Sequence, residues 1–141
     1  MLHYGGMNLT IFLLLYILSV PIFFVIDMVW LGYIARGFYQ RQIGHVLGAV
    51  NWPAAIGFYL IYLVGVTYFA TYPAFLHGDW TTAVMVGGLF GFFTYATYDM
   101  TNLATLPQWP VQIVVVDVLW GTVLGASVSG ITYAAAMLLI G

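Results

Sequence analysis

The sequence predicts an all-α membrane protein, four transmembrane helices in a compact bundle forming one domain. Three observations predict it. Hydrophobic residues make up 64% of the 141, whereas an ordinary soluble domain has roughly 45–50% even with glycine counted. Charged residues are only 4%, namely Asp27, Arg36, Arg41, Asp79, Asp99 and Asp117, and the mean hydropathy is +1.05. Six charges cannot solvate the surface of a globule of this length. Finally, the charges divide the chain into long uncharged runs, 1–26, 42–78, 80–98, 100–116 and 118–141.

A helix crossing the bilayer needs about 20 mostly apolar residues. The first span is read from Leu9 to Ala35, with Asp27 late in it. Pro21 removes its bond to the carbonyl of Ile17 and should bend it. The second runs over 53–72 and opens on Trp52-Pro53, proline being tolerated at a helix start. The third covers 81–101, with Asp99 near its end, and the fourth covers 111–140, with Asp117 in its second turn. No alternating polar pattern suggests a β-barrel, and helices satisfy every backbone group internally, as lipid requires.

Composition also excludes functions. Disordered chains are poor in apolar groups, and two arginines cannot neutralise a phosphate track, so no nucleic acid is expected as a partner. With no cysteine, disulfides, thiol catalysis and thiolate metal sites are ruled out. The first twenty residues have no basic n-region, so the first apolar run is expected to remain as a span.

The connections give an orientation. Residues 36–52, the longest, hold both arginines and His45; 73–80 is short and turn-like; 102–110 is short and polar. Arginine favours the cytoplasmic side, which puts 36–52 and 102–110 inside and both termini and the Asp79 turn outside. His3 and His77 then fall on the outer side as solvated groups. Trp30, Trp52, Trp80 and Trp109 lie near span ends, where amphipathic rings settle at the headgroups, while Trp120 sits deeper and suits internal packing. Trp109-Pro110 echoes Trp52-Pro53, but the spacings from Asp99 and Asp27 differ, and two similar loop entries suffice to explain it.

This topology sets Asp27, Asp99 and Asp117 at a similar depth near the cytoplasmic face. Charge in the bilayer is costly, so such residues pair, face protein or line a wet pathway. Asp117, Gly121, Gly125 and Ser129 recur every four residues and share one helix side; Gly87, Gly91, Tyr95 and Asp99 do the same on the third span. Small residues at that spacing allow close helix approach, so the third and fourth helices should pack tightly and bring Asp99 to Asp117. The glycines alone are sufficient as packing devices. Tyr39, His45, Asn51, Tyr98 and Asn102 add donors and acceptors around the aspartates, with Trp30 and Trp120 as closing rings. Arg36 and Arg41 could pair with the cluster, or mark topology and contact lipid phosphate. Asp27, Asp99 and Asp117 could take a divalent metal, but their spacing matches no metal motif, and no cofactor is identified.

The segments IDMVWLG (26–32), FYQRQIGH (38–45), NWPAAIGFYLIY (51–62), TYATYDMTNLATL (94–106) and WPVQIVVVDVLWGT (109–122) resemble the DUF2177 family of small bacterial membrane proteins. YDMTNLATL with the following WP is the most specific part. The positions that match the family pattern are Asp27, Trp30, Tyr39, Asn51, Trp52, Tyr98, Asp99, Thr101, Asn102, Asp117 and Trp120. The resemblance implies four spans in a bacterial inner membrane and transfers no reaction.

Three functions fit. One is transport or binding of a small solute, cation or proton, with a homodimer interface helping to provide the path; clustered intramembrane carboxylates favour it. A second is a membrane-embedded enzyme that modifies lipid, its paired carboxylates supplying acid and base. A third is a structural or accessory subunit, in which the polar cluster serves packing.

Overall fold

A computed structural model describes residues 6–141, so His3 lies outside the described residues. Asn8 starts the first helix, α1 (Leu9–Val29), its Oδ1 accepting from the Ile11 N–H at 3.2 Å. The helix runs through Pro21. It then widens into a π turn over Trp30–Ile34, where the Ala35 N–H donates to the Trp30 carbonyl at 2.8 Å. Ala35 leaves helical geometry (φ −107°, ψ −3°) and a separate short helix, α2 (Arg36–Ile43), begins. The sequence predicts only a connection over 36–52, because the eight polar-rich residues of α2 have no span-length apolar run; what holds them helical is the docking of Phe38, Tyr39 and Ile43 on Trp109, Ile113 and Val114.

The second helical run also differs from expectation. Asn51 caps α3 (Trp52–Val66), a second π turn covers Thr67–Thr71, and α4 (Tyr72–His77) follows. Helix was expected to stop at Tyr72, with a turn over 73–80. Instead the helical run continues through Pro73, which falls in the first turn of α4 just after the π turn has shifted the hydrogen-bond register. The turn is confined to Gly78, at φ 66°, and Asp79. Asp79 caps α5 (Trp80–Thr105), which extends past the expected end at Thr101. After 106–110, with Gln108 at φ 63°, α6 covers Val111–Ile140 as read from sequence.

The described residues contain helices and no strands. Three helical runs are long and apolar enough to cross a membrane: Leu9–Ile34, Trp52–His77 and Val111–Ile140. At 26 residues α5 matches the first two in length, but threonine, tyrosine and glycine dilute its apolar run. Thr94, Thr97, Thr101 and Thr105 each turn the hydroxyl back onto the carbonyl four residues earlier. That keeps them hydrogen-bonded without water.

The tightest interface joins α5 to α6. A Cβ on Gly91 would fall on the Gly121 carbonyl, and one on Gly125 would fall on that of Gly87. The glycine stripes therefore meet, as the four-residue spacing required. Between the helices, Phe23, Tyr62, Leu63, Val66, Leu124 and Val128 form the central core. One end of the bundle is tied by Thr71 to Ser129 (3.2 Å), the Trp80 indole to the Gly130 carbonyl (3.1 Å), and the Asn8 N–H to the Tyr72 hydroxyl (2.7 Å). The outer surface is apolar, with Leu9, Ile17, Ile61, Met85, Leu119 and Leu138 exposed. Buried polar residues such as Ser19, Thr67 and Thr132 face inward. Water would reverse this distribution; lipid does not.

Candidate functional site: a carboxylate-lined cleft

The other end of the bundle is open. A cleft of about 820 Å³ lies among the late turns of α1 and α5, the early turns of α3 and α6, and α2. Asp27, Asp99 and Asp117 all line it. Asp27 is seven residues from the end of Leu9–Ile34, Asp99 six from the end of Trp80–Thr105, and Asp117 six from the start of Val111–Ile140. At 1.5 Å per residue, each lies about 10 Å inside its helix end. Measured along its own helix, each carboxyl thus stands a similar distance from the end nearest the cleft.

The surroundings of the three carboxyls differ. Asp117 accepts from the Tyr39 hydroxyl at 2.6 Å, and that hydroxyl accepts from the Trp30 indole at 3.3 Å. Asp27, 3% exposed, accepts from the Trp120 indole at 3.4 Å. The Trp30 and Trp120 rings stack with centroids 4.3 Å apart and planes 6° from parallel. The two acidic networks are thus locked together through an indole pair. Asp99 is fully buried and stands against Asp117 across the α5–α6 interface, where the two carboxyls are close enough to share a proton; no other side chain or backbone group among the described residues reaches its oxygens. The glycine contacts produce this, because they hold the helix backbones close enough to press the two carboxyls together.

Tyr39, Tyr98 and Trp120 also line the cleft, as expected. Trp30 backs it through its stack on Trp120 rather than lining it. Five expected site residues lie outside. Arg36, Arg41 and His45 are exposed, because the face of α2 that docks is Phe38, Tyr39 and Ile43. Asn51 is spent on capping α3, its Oδ1 accepting from the Ala54 N–H at 3.2 Å. Asn102 lies one turn beyond Tyr98, half-buried, toward the end of α5. Among the described residues no three His, Cys, Asp or Glu side chains are grouped as a metal ion would require. Asp99 and Asp117 meet, as expected, while Asp27 is held apart on Trp120, so the three do not converge on one point.

Other lining residues escaped the sequence reading: Tyr59, Tyr95 and Phe58, with Ile43, Leu47 and Val50. Tyr95 had a signal, since it continues the Gly87–Gly91 stripe; Tyr59 had none. Trp109 was read as a headgroup anchor. It is 7% exposed, lines the cleft, meets Tyr98 edge-on at 6.2 Å, and its indole N–H has no partner among the described residues. The docking of α2 over 109–114 buries it. Trp52 and Trp80 remain more than half exposed near helix starts.

The apolar exterior, the inward-facing polar side chains and the span-length helices define an all-helical membrane protein. The chain belongs to the DUF2177 family, described as a predicted membrane protein, whose profile matches residues 12–134. No curated protein and no solved structure matches it.

Proposed function

We propose that this chain is a four-crossing protein of the bacterial inner membrane whose cleft, near the cytoplasmic face, binds and moves a small solute, a cation or a proton. The observation that carries the reading is Asp99, a fully buried carboxyl with no donor, in the wall of a cleft of about 820 Å³. Leaving a buried acceptor unsatisfied costs about 1–3 kcal/mol, more when charged. Two carboxyls side by side out of water call for a cation or a proton between them. A cleft of this size suits a small molecule.

Treating α5 as the fourth crossing is supported by its partner. It is close-packed against α6 at Gly87 and Gly91, and a helix lying along a crossing helix crosses with it. Its 26 residues extend about 39 Å, longer than the hydrocarbon core. Arg36 and Arg41 at the cleft end support a cytoplasmic location for that end and outer termini. A homodimer would extend the path, since one four-helix unit has little room for a continuous one.

In proteoliposomes loaded with a pH-sensitive dye, the wild type should carry proton or cation flux, and Asp27→Asn, Asp99→Asn and Asp117→Asn should each abolish it while leaving the helix content unchanged. Full flux in all three variants rejects the reading. The Asp99–Asp117 adjacency also favours acid–base chemistry on a lipid headgroup; that reading requires the lipidome of a deletion strain to differ from its parent's.

A further inference from the structure

We infer that the cleft takes a lipophilic organic cation, a bulky apolar or aromatic body bearing a delocalised or quaternary positive charge. This rests on the cleft being a ligand site and specifies what the ligand is.

Three independent features converge on this class. The first is charge. Three carboxyls line the cleft, while both arginines of the chain stay outside it. Asp27 and Asp117 receive indole or phenol donors, while Asp99 faces only the Asp117 carboxyl. No cationic side chain lines the cleft to neutralise the three, so the matching ligand is positive. The second is the wall. Tyr59, Tyr95, Tyr98, Trp109 and Trp120 present aromatic rings to the same space. Aromatic faces attract cations within about 6 Å, and their grouping around one space is how quaternary ammonium groups are recognised. Phe58, Ile43 and Leu47 make the remaining wall apolar, suited to a hydrocarbon body.

The third is spacing. A compact ion such as magnesium or calcium needs several oxygens within about 2.0–2.6 Å of one point. No group of three acidic or histidine side chains is arranged that way among the described residues. A carboxyl pair, Asp99 with Asp117, and a third carboxyl held on Trp120, in the wall of a cavity of about 820 Å³, match a charge diffused over a large body. Such a ligand also loses little hydration on entry, because its charge is only weakly solvated, and it can reach a site about 10 Å inside the helix ends from the lipid phase.

Two tetraphenyl ions of nearly equal size and opposite charge provide the test. The full chain, purified in detergent, is equilibrated separately with radiolabelled tetraphenylphosphonium and with radiolabelled tetraphenylborate. Saturable binding of the phosphonium and none of the borate is expected. Asp99→Asn should weaken it roughly ten- to a hundredfold, the scale of one charge-assisted contact. Asp79→Asn, a carboxyl on the opposite turn, should leave it unchanged. Should Asp99→Asn fail to fold by circular dichroism, Asp27→Asn takes its place with the same expectation. Equal binding of the two ions, or full affinity in the folded cleft variants, overturns the inference, since the cleft would then be merely greasy. No phosphonium binding alongside intact, Asp99-dependent proton or rubidium flux overturns it too, but leaves the proposed function standing. Wild-type protein with neither binding nor flux overturns both.

Discussion

Asp27, Asp99 and Asp117 are chemically identical and are distinguished only by their neighbours. Asp117 has a phenol 2.6 Å away and Asp27 an indole, while Asp99 has only another carboxyl. Their substitutions should therefore move stability in opposite directions. Asp99→Leu should raise the thermal midpoint in detergent, by about 1–3 kcal/mol of relieved desolvation, while abolishing flux. Asp117→Leu removes the acceptor of Tyr39 and should lower it. Equal destabilisation by both would show that Asp99 is satisfied and would undo the reason for a ligand there. The two Trp-Pro pairs teach a related lesson. Trp52 is 57% exposed and Trp109 is 7% exposed, although both open a helix in front of proline. Local sequence places a tryptophan at a helix start; it does not say whether another element will dock over it.

At the scale of elements, small residues set the geometry of the site. Gly91→Ala or Gly125→Ala would push a methyl into backbone of the facing helix. Because backbone cannot move aside as a flexible side chain can, each should cost more than the usual overpacking penalty of about 1–3 kcal/mol. Both should also lower flux by separating Asp99 from Asp117. Gly57→Ala is the contrast, with open space around its Cβ and up to about 1 kcal/mol of helix propensity to gain. Thermal unfolding monitored by tryptophan fluorescence separates the two classes.

Asp79 governs the start of α5. The Thr82 hydroxyl donates to its carboxylate at 2.6 Å and holds its pKa below the ordinary value, with help from the backbone N–H groups of Thr82 and Thr81. Its contribution is fully present above the unfolded carboxylate value, about 3.9, and disappears as the pH falls through the lower folded value. Asp79→Ala should lower the midpoint at neutral pH and flatten its dependence on acid, whereas Asp79→Asn should retain most of the cap. A loss of stability in Asp79→Ala that is no smaller in acid would contradict this.

At the scale of the molecule, the two bundle ends do different work. One is closed by the Thr71–Ser129 and Trp80–Gly130 contacts, and the other is opened by the cleft. The chain has no cysteine, so single cysteines can report sidedness directly. Substitutions at His45 and Pro107 should react with an impermeant maleimide from the cytoplasmic face, and one at Asp79 from the opposite face. Labelling of all three from one side would require an even number of crossings between neighbouring sites, where the four-crossing reading has one, and would remove the common depth of the aspartates.

The sequence by itself determined the class of environment, the long apolar runs and the α5–α6 contact. Each of those follows from composition or from a four-residue period, quantities local to the chain. It also suggested that three aspartates share a level, since counting residues along helices of fixed rise measures depth. Only the tertiary structure decided the rest. The docking of α2, which buries Trp109 and turns the arginines outward, depends on a surface made by another helix 70 residues away. Which carboxyl goes without a donor depends on where Tyr39 and Trp120 arrive. Those are long-range contacts between side chains, and no period along one strand of sequence encodes them.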